Sequence, residues 1–150
     1  MDNDGNESLG VFAVNADGTL PRTLAPPADV QIRSGEAASI RITQVIDVLK
    51  DEPQYVLVIN NDRNASHPDV YKMDIISGRK QVVQKNPGNV DGWFTDWDGK
   101  VIGAGYTDEL HGGFMMLNAE SGEWEVITRT RYDEPSYAPA MLTGDGVTGY

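Results

Sequence analysis

A serine, a histidine and an aspartate stand close together in the segment Asn64-Ala65-Ser66-His67-Pro68-Asp69. These are the residue types of a hydrolytic triad, in which a histidine takes a proton from the serine hydroxyl and a carboxylate orients the histidine. A triad requires groups that converge from separate elements, so neighbours along one stretch of chain rarely form one. We therefore predict that His67 is a loop residue at the surface. The second histidine, His111, precedes two glycines and is predicted to lie in a turn.

The segment 91–99 is rich in aspartate and could supply oxygen ligands to a calcium ion. A calcium loop places its ligands at alternating positions and closes with a glutamate at the twelfth position. Here Phe94 and Trp97 interrupt the alternation, and no glutamate follows at the twelfth position from Asp91. The sequence therefore predicts a hairpin turn at Asp98-Gly99, and it predicts no catalytic residue, no metal site and no cofactor.

Two pairs of side chains have both a binding and a structural interpretation. Trp93 and Trp97 could stack on a sugar or a base, but large aromatic side chains more often fill the space between packed sheets, and we predict this second role. Arg129 and Arg131 could receive a substrate carboxylate, but ion pairs at the rim of a sheet are the simpler expectation. We predict that the acidic residues nearby form a solvated face: Glu123, Glu125, Asp133 and Glu134.

The overall composition excludes several classes of function. Lys and Arg number 12 against 23 Asp and Glu, and the net charge of −11 disfavours nucleic acid and anionic membranes as partners. Without cysteine the chain has no thiol nucleophile, disulfide or thiolate metal ligand. The longest aliphatic run, at residues 56–59, is far shorter than the ~18 apolar residues of a membrane span. The first nine residues lack the apolar stretch of a signal peptide, and the compartment stays open.

The elements that must position these side chains are predicted to be β-strands. Apolar residues occur in short runs rich in valine, isoleucine and aromatic residues, and glycine, aspartate and asparagine bound each run. The clearest run covers residues 55–60. The segment 37–48 has some helical character, but its β-branched residues favour a strand or irregular structure. The sequence therefore predicts an all-β fold.

The turns between these runs repeat along the chain. Asp-Gly and Ser-Gly pairs supply the positive φ angles of tight hairpins. Gly78 and Gly122 lie 44 positions apart, with another hairpin at Gly99 between them. Four short strands in every ~40–45 residues are typical of a β-propeller blade. The predicted turn pairs are Asp17-Gly18, Ser77-Gly78, Asp98-Gly99, Ser121-Gly122 and Asp145-Gly146.

We interpret the chain as a single partial propeller domain with about three blades' worth of four-stranded antiparallel structure. A half blade covers about residues 9–25 and a linker covers 26–43. Full blades cover 44–85 and 90–130, and a second half blade covers 137–150. Because a propeller closes only with about four to eight blades, we expect the chain alone to form a homo-oligomer, with two copies completing a ring of about six blades.

The repeat resembles that of a known family. The segment Asp98-Gly99-Lys100-Val101-Ile102-Gly103-Ala104, followed by residues 113–118 and Ser121-Gly122, is similar to the propeller repeat of TolB and the prolyl oligopeptidase family. Residues 53–58 with 69–79, and residues 9–24, resemble the propeller of its dipeptidyl and acylaminoacyl peptidase branch.

The resemblance implies a non-catalytic role for this chain. In that family the propeller precedes an α/β-hydrolase domain whose nucleophile lies in a G-x-S-x-G turn. No such pentapeptide occurs here. The resemblance therefore implies a propeller portion that restricts the access of peptides and docks on a hydrolase domain outside this chain. Its partners would be that domain or a peptide substrate.

Two alternatives stay open on the sequence alone. The first is a TolB-like propeller that serves as a platform for protein–protein interaction. The second is an enzyme with its site inside the propeller, which needs paired carboxylates and an arginine directed to one axis. Asp91, Asp96, Asp98 and Arg63 are the residues that such a site would use.

Overall fold

The computed structural model describes residues 10–26, 42–135 and 139, and every regular element among them is a β-strand. The all-β prediction is thereby confirmed for this part of the chain. Since the described residues form no helix, none of them forms one long and apolar enough to cross a membrane. Most of the predicted linker 26–43, most of the half blade 137–150 and the turn at Gly146 lie outside the described residues. The chain divides into two compact units, residues 1–85 and 86–150.

The first unit contains a two-stranded and a four-stranded antiparallel sheet. In the larger sheet Leu57 and Val58 are neighbours on one strand and are both buried, as are Val70 and Met73 on the next strand. Because successive side chains of a strand point to opposite faces, both faces of this sheet carry buried apolar residues. The small sheet pairs β1 (Val11–Ala13) with β2 (Arg22–Ala25), and the larger one has the order β3 (Thr43–Val48), β4 (Tyr55–Asn60), β5 (Asp69–Asp74), β6 (Lys80–Gln84).

The second unit is built on one four-stranded antiparallel sheet in the order β10-β9-β8-β7. Its strands cover residues 90–131, and those of the earlier sheet cover 43–84, so each sheet uses 42 residues. The prediction of consecutive four-stranded antiparallel sheets is confirmed. The segment 37–48 ends in a strand, as its β-branched residues favoured. The four strands are β7 (Val90–Thr95), β8 (Val101–Asp108), β9 (His111–Leu117) and β10 (Trp124–Arg131).

Aromatic side chains cover this second sheet on both faces. On one face Trp93 of β7 and Trp124 of β10 meet edge-to-face, with ring centroids 5.8 Å apart, and both pack against the core cluster Val90, Ala104, Tyr106 and Met115. On the other face Phe94 and Phe114 meet with centroids 5.2 Å apart. The core role predicted for Trp93 is confirmed. The same prediction for Trp97 is wrong, because it lies in the β7–β8 turn and is 65% exposed.

Two glycines make close packing in this sheet possible. A Cβ atom at Gly103 would lie 2.7 Å from the ring of Phe114. A Cβ atom at Gly113 would overlap the carbonyl oxygen of Thr128 on β10, next to the bulge that shifts the register between Val126 and Thr128. Backbone cannot give way as a side chain can, so β9 and β10 can approach here only with glycine at position 113.

We predict that Gly113→Ala destabilises the second unit by about 2–3 kcal/mol, because the new methyl group must push β10 away from β9. The matched control is Gly105→Ala on β8, where a Cβ atom would meet nothing within 4 Å. Alanine there should be neutral or stabilising by up to ~1 kcal/mol, because it reduces the freedom of the unfolded chain. Urea unfolding of the two variants checks this, and equal midpoints would contradict the packing argument.

The predicted turn glycines Gly18, Gly78, Gly99 and Gly122 all have positive φ angles, between 72° and 82°. The turns at Gly78 and Gly122 also share one hydrogen-bond pattern. The key residue lies four positions before each glycine: Asp74 before Gly78 and Asn118 before Gly122. One of its side-chain oxygens accepts hydrogen bonds from the backbone N–H groups of the second and third residues that follow it. In both turns the glycine N–H donates to the backbone carbonyl of that same residue. The two sheets therefore repeat one hairpin 44 positions apart.

This equivalence gives a prediction about acid stability. Hydrogen bonds from the backbone N–H groups of Ser77 and Ile76, and then from the side chain of Gln54, lower the pKa of Asp74 below its ordinary value. A group whose pKa is lowered by folding stabilises the fold at neutral pH, and this contribution is lost as the pH falls through the folded-state pKa, below about 4. Asp74→Asn recreates the amide of Asn118, so the variant should fold but lack this contribution.

Urea unfolding from pH 7 down to about pH 2 measures the difference between wild type and Asp74→Asn. We expect wild type to be the more stable at pH 7 and the two curves to converge in acid. Asn118→Asp is the reciprocal control and should gain stability at neutral pH relative to acid. A gap between wild type and Asp74→Asn that is independent of pH would contradict the role of the carboxylate.

Candidate functional site

The serine, histidine and aspartate of the first candidate lie around the loop between β4 and β5. The backbone N–H of Ser66 donates to Asn64 Oδ1 at 3.0 Å, and His67 Nδ1 is buried and makes no hydrogen bond with a described residue. The carboxylate of Asp69 is bound by Arg63. A triad needs the histidine Nδ1 to donate to the carboxylate, so these residues do not form one. The prediction that His67 is a loop residue is confirmed, although part of its ring is buried.

Arg63 and Asp69 form a bidentate ion pair. Arg63 Nε and Nη2 each lie 2.6 Å from a carboxylate oxygen of Asp69, which is 1% exposed, while the Arg63 side chain is 44% exposed. The hydrogen bond with Asp69 raises the pKa of Arg63. Burial, followed by the negative charge of Asp69, raises the pKa of Tyr71, whose hydroxyl lies 3.4 Å from the same carboxylate. Arg63 is therefore positively charged and Tyr71 is neutral at neutral pH.

A third strand joins this network through a lysine. Lys80 at the start of β6 places its Nζ 2.6 Å from Asp62 in the β4–β5 loop and 5.0 Å from the ring centroid of Tyr71. The loop is therefore tied to β5 through Arg63 and to β6 through Asp62. These contacts position the loop, and the fixed guanidinium and carboxylate are not arranged to exchange a proton.

An open groove of about 570 Å³ lies at the other end of the same sheet, beside the β3–β4 and β5–β6 turns. Lys72 Nζ lies 2.6 and 2.5 Å from the two oxygens of Glu52 and 4.6 Å from the ring centroid of Tyr55. Among the described residues, the Arg79 guanidinium makes no ion pair. The Arg79 guanidinium can therefore bind an anion. Its lining residues are Glu52, Tyr55, Lys72, Asp74, Ser77, Arg79, Lys80 and Gln81.

The two arginines on β10 form ion pairs at one end of the second unit's sheet. Arg129 Nη2 lies 3.2 Å from Asp108 Oδ2 and 3.3 Å from His111 Nδ1, and Arg131 Nε lies 3.2 Å from Asp133. The rim ion pairs predicted for both arginines are confirmed. The prediction that His111 lies in a turn is wrong, since it is the first residue of β9. The predicted solvated face is also confirmed: Glu123, Glu125, Asp133 and Glu134 are exposed.

The aspartates of the segment 91–99 have structural partners. Asp96 Oδ1 accepts the backbone N–H groups of Asp98 and Lys100 and so closes the β7–β8 turn. Asp91 accepts the hydroxyl of Thr107 at 2.5 Å. The hairpin predicted here is confirmed. Within the described ranges, no group of three or more His, Asp or Glu residues could hold a metal ion.

The groove was not predicted from the sequence. Its cations come from β5 and from the turn and strand that follow, and only the pairing of β5 with β6 brings Lys72 opposite Gln81. One signal was available in the sequence: Lys72, Arg79 and Lys80 lie within nine positions of one another in a chain with 12 basic residues.

No protein-family model matches this chain. Among curated proteins, it is similar to the dipeptidyl aminopeptidase BIII of Pseudoxanthomonas mexicana, with 28% identity over 127 residues. The similarity covers 81% of this chain and 18% of the length of that enzyme. The chain therefore spans less than a fifth of the relative. The predicted relation to the peptidase family is thus supported by a distant similarity that extends over most of the chain.

We predict that Arg63→Gln lowers the urea midpoint of the chain, because it leaves the carboxylate of Asp69 buried without its cation. The matched control is Arg131→Gln. Both Arg131 and its partner Asp133 are half exposed, at 55% and 52%, and exposed pairs contribute little. Arg131→Gln should therefore leave the midpoint where it is. Equal shifts in the two variants would show that the Arg63 pair does not stabilise the loop.

Proposed function

We propose that this chain is a β-propeller portion of a serine peptidase of the prolyl oligopeptidase family, and that it limits the access of peptides to a hydrolase domain outside this chain. The observation that carries the proposal is the 28% identity with dipeptidyl aminopeptidase BIII over 127 residues. The motifs at 69–79 and 98–104 lie on the β5–β6 and β7–β8 hairpins. The proposal thus combines a distant similarity with a repeated hairpin.

The construction of the two four-stranded sheets supports a propeller. Each uses 42 residues in four consecutive antiparallel strands, which is the size of a blade. Each also buries apolar side chains on both faces, as a blade between two neighbours must. The turns at Gly78 and Gly122 share one hydrogen-bond pattern, which supports the assignment of the two sheets to one repeat.

The proposed mechanism is steric exclusion and docking. A ring of blades leaves a narrow central channel that admits short peptides and rejects folded ones. Docking needs apolar surface, and edge strand β10 exposes Val126 and Ile127, at 56% and 55%. Edge strand β6 likewise exposes Val82 and Val83. Such surface is covered in the parent by the hydrolase domain or another blade, and in the isolated chain by a second copy.

The test compares this chain with the longer protein that would contain it. A fluorophosphonate probe should label one serine of the parent, in a G-x-S-x-G turn, and should leave this chain unlabelled. In the parent, Gly113→Ala should loosen the second sheet and increase kcat/KM for a long peptide more than for a chromogenic dipeptide, because only the long peptide is excluded by the channel. Gly105→Ala in the parent is the control for an unspecific effect.

Two results would overturn the proposal. One is a parent without a hydrolase domain, which would favour the protein-interaction platform. The other is labelling of any serine within residues 1–150. Equal changes for the long and the short substrate in Gly113→Ala would remove the gating role and leave docking.

A further inference from the structure

We propose that the groove beside the β3–β4 and β5–β6 turns binds the free carboxylate of a short peptide, and that Arg79 receives this carboxylate. The choice of a peptide as the carrier depends on the proposed function, whereas the exposed Arg79 guanidinium in the groove does not. The groove lies within the first unit, and its lining residue Lys80 also binds Asp62 in the loop that carries Arg63.

Arg79 is the basic residue of the groove that makes no ion pair with a described residue. The carboxylate of Glu52 is neutralised by Lys72, and Lys80 is paired with Asp62. Asp74 accepts three hydrogen bonds, from the backbone of Ile76 and Ser77 and from Gln54. The remaining charged lining residue is Arg79. Its exposed guanidinium can therefore bind a ligand carboxylate through two N–H groups.

Hydrogen bonds fix the backbone of Arg79, and they thereby fix the position from which its side chain extends. Its N–H donates to Ser77 Oγ at 3.3 Å and its carbonyl accepts the N–H of Asp74 at 2.9 Å. The preceding Gly78 has a φ of 72°, and a Cβ atom there would lie 3.1 Å from the carbonyl oxygen of Leu24 on β2. A planar guanidinium on such a base offers two parallel N–H groups, which match the two oxygens of a carboxylate.

The rest of the groove suits a peptide better than an inorganic anion. Gln81 lies opposite Lys72 in the strand pair and offers an amide that can both donate to and accept from a peptide bond. The ring of Tyr55 beneath Lys72 provides apolar surface for a side chain. The carboxylate of Asp74 makes no ion pair with a described residue, and its negative charge repels a dianionic phosphate more strongly than a single carboxylate.

The experiment is an NMR titration of the ¹⁵N-labelled chain with acetyl-Ala-Ala, which has a free carboxylate, and with acetyl-Ala-Ala-amide, which has none. We expect the acid to shift the amide signals of Ser77, Arg79 and Gln81 with a Kd in the millimolar range, weaker at higher salt. The amide should produce no such shifts. Arg79→Gln should weaken binding of the acid at least about tenfold, whereas Arg131→Gln should bind as wild type does.

Three results would overturn the inference: equal shifts with acid and amide, undiminished binding in Arg79→Gln, or inorganic phosphate binding as tightly as the peptide acid. The last would identify a general anion site. The spectrum of Arg79→Gln outside the groove should match that of wild type. This match shows that a loss of binding in the variant comes from the missing guanidinium and is not caused by unfolding. Since this titration uses the chain alone and the test of the proposed function uses the parent, each can fail without the other.

Discussion

Burial on both faces is the constraint on which these sheets depend. In an ordinary antiparallel sheet one face meets water and polar residues alternate with apolar ones. Here the adjacent residues Leu57 and Val58 are both buried, and aromatic pairs cover each face of the second sheet. The charged contacts described above consequently lie at strand ends, in turns and on outer strands, except that Lys72 in the middle of β5 binds Glu52 in the β3–β4 turn.

The same constraint explains why glycine and asparagine matter at particular positions. With bulky residues on both faces, space is gained only by omitting a side chain, as at Gly103 beneath Phe94 and Phe114. The turns must then be stabilised by their own hydrogen bonds, because core packing does not reach them. Asp74 and Asn118 do so with one oxygen each, which binds two backbone N–H groups. An ionised and a neutral side chain serve the same turn because an oxygen acceptor is required and a charge is not.

Local features of this fold were predictable from the sequence, and features that depend on register were not. Short β-branched runs and turn glycines determine strands and hairpins within a few residues, so β4 and the turn at Gly99 followed directly. The Arg63–Asp69 pair could not be predicted, because its effect comes from the burial of Asp69. Trp97 was misassigned for a related reason: its type favours the core, but its position two residues beyond β7 places it in a turn. The groove depends on two turns that meet only after β3, β4, β5 and β6 have paired.

Excess negative charge makes each cation of this chain informative. Because the chain has 23 acidic residues and 12 basic ones, a lysine or arginine usually has a carboxylate nearby. Five basic residues form an ion pair with one: Arg63, Lys72, Lys80, Arg129 and Arg131. Pairing of this kind costs little at the surface and is the default outcome. Arg79 shares its lack of an ion pair among the described residues with Lys85 and Lys100, but it differs from both because it lines a groove. It also follows a turn whose backbone is fixed by hydrogen bonds. Arg79 therefore points to a ligand more directly than the denser network around Asp69, whose charges satisfy one another.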